Sequence, residues 1–138
     1  MKKTAIGAVL LVAFLTSISA QNIDAVEKRA LKALSREMTD CAAYFLIAGE
    51  GVRRDDHRKT AKDYKQMAER LLGRSAEIST EDAIHARLAR SLERQRLEWD
   101  GDYENSAAKL VKYARPCQHV HDNPEGRVKQ WAFQIRAE

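Results

Sequence analysis

The side chains able to do chemistry fall into four sets: two cysteines, four histidines, Glu50 between Gly49 and Gly51, and cations at helical spacing. Cys41 and Cys117 admit one pairing, and in an exported chain two cysteines most simply form one disulfide. The other reading is two free thiols, with Cys41 a core residue. A bridge would close a loop of about 75 residues and contribute on the order of 4 kcal/mol in the chain-entropy model. His119 and His121, with His57 behind Asp55 and Asp56, form the candidate metal set. Residues two apart do not share a helix face, and no zinc-type ligand spacing accompanies them, so solvated loop histidines and no metal are expected. No haem-attachment motif, phosphate loop or nucleophile elbow is present, and no cofactor is expected.

Arg87, Arg90 and Arg94 fall on one helical face, and Arg58, Lys62 and Lys65 on another. Two readings stand: the wet side of amphipathic helices, or a docking surface for an anionic envelope component or acidic partner. Phe133 lies off the Val128, Trp131, Ile135 stripe, which marks it as an exposed aromatic and a contact point.

Glu50-Gly51-Val52-Arg53 resembles the stretch around the catalytic glutamate of lysozyme-type phage endolysins. The resemblance implies a cell-wall hydrolase with Glu50 as its acid and a glycine-rich hairpin carrying a second polar catalytic residue. In this chain the next segment is instead charged and helical, and nothing designates the second carboxylate that glycoside hydrolysis requires.

These residues are delivered by a chain whose start is itself informative. Residues 1–20, MKKTAIGAVLLVAFLTSISA, show two lysines, an uncharged run and small polar residues, the layout of a bacterial-type signal peptide cleaved after Ala20. The apolar run is shorter than the roughly 20 residues a spanning helix needs, so no membrane span is expected after its removal. The chain carries 24 basic and 20 acidic residues, and losing Lys2 and Lys3 leaves the mature part at +2. That balance gives no reason to expect nucleic acid as a partner.

Residues 21–138 read as a single helical domain, without linker, repeat or sustained alternation of a strand. Leu31, Leu34, Met38, Cys41 and Phe45 recur at steps of three and four, so helix A, about 23–48, points Cys41 inward before Gly49 and Gly51 stop it. Helix B starts near Asp55 and Asp56, buries Tyr64, Met67, Ala68 and Leu71, and loosens at Gly73 and Ser75. Helix C starts at a Ser79/Asp82 capping box, with Ile84, Leu88, Leu92 and Trp99 as its stripe. It either continues through Gly101 to Arg115 or breaks there into a helix D that Pro116 ends. Asn123-Pro124 opens a short last helix.

A disulfide decides between the two. An unbroken helix C would leave the sulfurs roughly 30 Å apart, whereas a helix D descending by about 18 Å would bring Cys117 level with Cys41. The expectation is an all-α, small antiparallel bundle of about four helices plus a short C-terminal helix, stapled by Cys41–Cys117. The functional expectation is an exported, periplasmic or secreted protein that serves as a non-catalytic binding or accessory factor. Its partner would be another envelope protein or an anionic envelope surface. A metal- or small-ligand-binding bundle is the alternative, and the cell-wall hydrolase a remote one.

Overall fold

The computed structural model describes residues 7–54, 58–99 and 110–138, with side chains for residues 24–51, 60–99 and 112–138. It is all-helical, with no strand among the described residues. Helix α1 spans Gly7–Arg54, α2 Arg58–Ala76 and α3 Glu81–Trp99. A π-helical turn at Leu110–Ala114 runs directly into α4, Arg115–Asp122, and α5 spans Pro124–Arg136.

Helix α1 is the spine: it packs against α2, α3, α4 and α5 alike. That explains why Cys41 to Phe45 are all buried, a run with no polar position that only a helix with neighbours on several sides can hide. Cross-helix contacts fix the directions. Gly49 faces Ala61 and Tyr64 while Ser35 meets Ser75, so α2 runs antiparallel to α1. Arg87 meets Asp40 and Arg96 meets Glu50, so α3 runs parallel to it. Tyr44 stacks on Tyr113, Cys41 bonds Cys117, Glu37 holds Arg127 and Arg29 reaches Glu138. The π turn, α4 and α5 together therefore form one descending fourth limb, interrupted at Asn123.

The disulfide is present, with the Cys41 and Cys117 α-carbons 5.2 Å apart and both residues buried. The expected break near Gly101, the start of helix D and the Asp55-Asp56 helix start lie outside the described residues. Several expected boundaries move. Helix α1 does not stop at Gly49 but continues through Gly51 to Arg54, because α2 packs closely over Gly49 and rewards the extra turns. Likewise α2 continues past Gly73 to Ala76, since Ser75 is fully buried against α1. Thr80, not Ser79, caps α3: its hydroxyl accepts from the Ala83 N–H at 3.4 Å.

Pro116 does not end its helix. Proline lacks an N–H and its ring collides with the carbonyl four residues back. The wider π turn just before it supplies room there, and the helix passes through to Asp122. The true interruption is Asn123, whose Oδ1 accepts from the Gly126 N–H at 3.0 Å and caps α5. A β-carbon at Gly126 would collide with that Asn123 side chain, so the closed cap needs glycine there.

Candidate functional site

Three polar clusters among the described residues tie α1 to its neighbours. On the α5 side, Arg127 grips Glu37 with Nε to Oε2 at 2.8 Å and Nη2 to Oε1 at 2.7 Å, while the Trp131 indole N–H donates to Oε2 at 2.8 Å. The guanidinium also lies over the Trp131 ring. On the α2 side, Ser35, Thr39 and Ser75 form a buried knot. Thr39 donates to the Ser35 carbonyl at 2.9 Å, Ser75 to the same carbonyl at 3.1 Å, and Ser35 to the Ser75 hydroxyl at 2.7 Å. All three hydroxyl protons are thereby used, and among the described residues no histidine or carboxylate is hydrogen-bonded to them as an activating base.

The third cluster faces α3. Asp40 accepts from Arg87 Nη2 at 2.6 Å and from the Ser91 hydroxyl, and Arg94 Nη2 lies 3.7 Å away. The buried Gln95 side chain donates to the Asp40 carbonyl oxygen at 2.8 Å, and Arg87 Nε to that of Arg36 at 3.1 Å. This changes the meaning of the arginine face. Arg87 and Arg94 spend charge on holding α3 against α1, whereas Arg90 is exposed and makes no ion pair among the described residues.

Between α1 and α3 lies a groove of about 240 Å³. Its α1 wall carries Lys32, Ser35, Arg36 and Thr39; its α3 wall carries Ala83, Ile84, Ala86, Arg87 and Arg90, and Ser79 completes the lining. Ile84 apart, both walls share the offsets 0, 3, 4 and 7, the rows that face one way from a helix. Four cations thus line one groove, no carboxylate does, and Lys32, Arg36 and Arg90 lack an ion pair among the described residues. Lys32 and Arg36 are also like charges one turn apart, which costs a few tenths of a kcal/mol in an isolated helix. An arrangement of this kind is suited to holding an anion.

Arg87 and Arg90 stand out in the sequence, whereas Lys32 and Arg36 are missed there. The overlooked signal is the shared 0, 3, 4, 7 pattern on two helices. The Asp40, Ser91, Gln95 cluster is missed too, although Ser91 and Gln95 lie on the helical face shared by Ile84 and Trp99.

The remaining candidates disperse. His119 and His121 belong to α4, not to a loop; His119 is exposed, and His121 is half-buried with Nδ1 2.9 Å from Asp122. His57 lies outside the described residues. Among the described residues no three His, Cys, Asp or Glu converge as a metal site. Lys62 and Lys65 are exposed on α2, far in sequence from the α3 arginines, and the side chain of Arg58 lies outside the described residues. Phe133 is 73 % exposed. Glu50 accepts from Arg96 at 2.9 Å and lines a hollow with Phe45, Leu46, Lys62 and Lys65, where it is the sole carboxylate among the described residues. No described helix is long and apolar enough to cross a membrane.

Comparison with protein-family models, curated proteins and solved structures gives no match to this chain.

Proposed function

We propose that this chain is exported, loses residues 1–20, and acts in the cell envelope as a non-catalytic binding or accessory factor. The α1–α3 groove is the surface that holds its anionic partner. One observation carries the reading: Lys32, Arg36 and Arg90, unpaired among the described residues, line a single groove beside Arg87, whose charge Asp40 already meets, and no acid is among the lining residues. Convergent like charge is unfavourable until a counter-charge arrives, whereas cations on the wet side of an ordinary bundle are interleaved with carboxylates.

Export is tested by fractionation with intact mass. The expected species lies outside the cytoplasm, begins at Gln21 and weighs two mass units less than its reduced form. Binding is tested by co-sedimentation with envelope fractions. Binding should weaken as salt rises from about 0.05 to about 0.5 M, since screening shortens the reach of exposed charges. It should also be lost in Arg36→Glu/Arg90→Glu. Binding indifferent to salt and to both substitutions would exclude the groove.

A further inference from the structure

The groove does not end at its cations. It opens past Lys32, Ser79 and Ala83, which line both spaces, into a larger hollow of about 760 Å³ at the α2–α3 turn. The hollow is built differently: Leu31, Ala76, Ile78 and Ala83 give it an apolar side, beside the polar Lys28, Lys32, Glu77, Ser79 and Thr80. Lys28 is held by Asp24 at 2.7 Å, so of the cations unpaired among the described residues Arg36 and Arg90 lie in the groove alone and Lys32 stands where the two spaces meet. One continuous depression therefore has a cationic end and an apolar end.

Resting on the anion-binding reading above, we propose that the depression takes a single-chain amphiphilic anion. Its phosphate or carboxylate head lies among Lys32, Arg36 and Arg90, and its hydrocarbon chain along Leu31, Ile78 and Ala83. A free inorganic anion would use only the groove. A double-chained lipid needs two apolar paths, whereas Leu31, Ile78 and Ala83 line one hollow. Ala83, an exposed methyl on α3, lines both spaces.

Calorimetric titration of the disulfide-bonded chain with monomeric decyl phosphate, inorganic phosphate and decyl maltoside tests this. Decyl phosphate should bind at least about tenfold more tightly than either control, as expected when a few methylene groups leave water. Leu31→Ser, which alters the hollow and not the groove lining, should reduce that affinity to the level of inorganic phosphate without changing phosphate binding itself. Arg36→Glu/Arg90→Glu should lower both by about tenfold or more.

Decyl phosphate no tighter than inorganic phosphate, or decyl maltoside as tight as decyl phosphate, overturns the proposal, as does no binding by any of the three. Loss of the amphiphile preference alongside salt-sensitive envelope binding through Arg36 and Arg90 would sink this inference and leave the broader reading standing. Salt-indifferent envelope binding would remove both.

Discussion

Glu37 shows how one carboxylate sets the position of a whole helix. It is only 17 % exposed at the side chain, and Arg127 is 19 % exposed, so solvent screens neither well. Glu37→Ala would leave a guanidinium and the Trp131 indole N–H half-buried without their acceptor. The expected loss is about 2–4 kcal/mol in urea denaturation, because removing one partner of a protected pair strands the other. Tyr44 gives a second test. Burial first, and then the nearby Tyr64, push its phenol from the usual 10.0 up to about 12. Below pH 10 both states keep this proton. Between pH 10 and about 12 only the unfolded chain releases it, so the tyrosine's contribution declines as pH rises through that window. Thermal melts at pH 9 and pH 11 should show a smaller alkaline loss in Tyr44→Phe than in the parent chain.

At the scale of helices, glycine positions separate local propensity from packing. Gly73 sits inside α2 with no atom within 4 Å of an added β-carbon. Gly73→Ala should therefore stabilise by about 0.5–1 kcal/mol, the difference in helix propensity, read from the urea midpoint. At Gly49 the same β-carbon lies 3.4 Å from both the Ala61 carbonyl oxygen and Tyr64 Cβ. Alanine fits there, but Gly49→Leu should cost about 1–3 kcal/mol by forcing α2 away from α1. The same contrast explains what the sequence made legible. Apolar periodicity located α1 to α3 and the inward Cys41, and Asn123-Pro124 marked the start of α5. Glycines and Pro116 misled because their cost is local, about 1 kcal/mol for glycine, whereas the packing that overrides it comes from residues distant in sequence. The groove was half legible for a related reason. Arg87 and Arg90 advertise themselves on one helix, but their significance depends on Lys32 and Arg36, about fifty residues earlier, facing them.

At the scale of the molecule, the fourth limb is attached to the spine at four levels: Tyr113 on Tyr44, Cys117 on Cys41, Arg127 on Glu37 and Glu138 on Arg29. Only the second is covalent, and it joins residues 76 apart. The groove, by contrast, is made of α1 and α3 and owes nothing directly to the fourth limb. The two properties should therefore separate. Cys41→Ala/Cys117→Ala should lower unfolding free energy by about 4 kcal/mol, since the unfolded chain regains the entropy that a closed loop of this length denies it. Under conditions where that variant is still folded, its affinity for inorganic phosphate should remain within about twofold of the parent's, because neither cysteine lines the groove. Urea denaturation of oxidised, reduced and double-alanine chains, followed by phosphate titration at low denaturant, distinguishes the cases. Equal stability in all three would mean that the remaining contacts already confine the fourth limb. A fall in phosphate affinity in the folded double-alanine variant would mean that the spacing of α1 and α3 depends on the staple, and the groove would then be sensitive to the redox state of its surroundings.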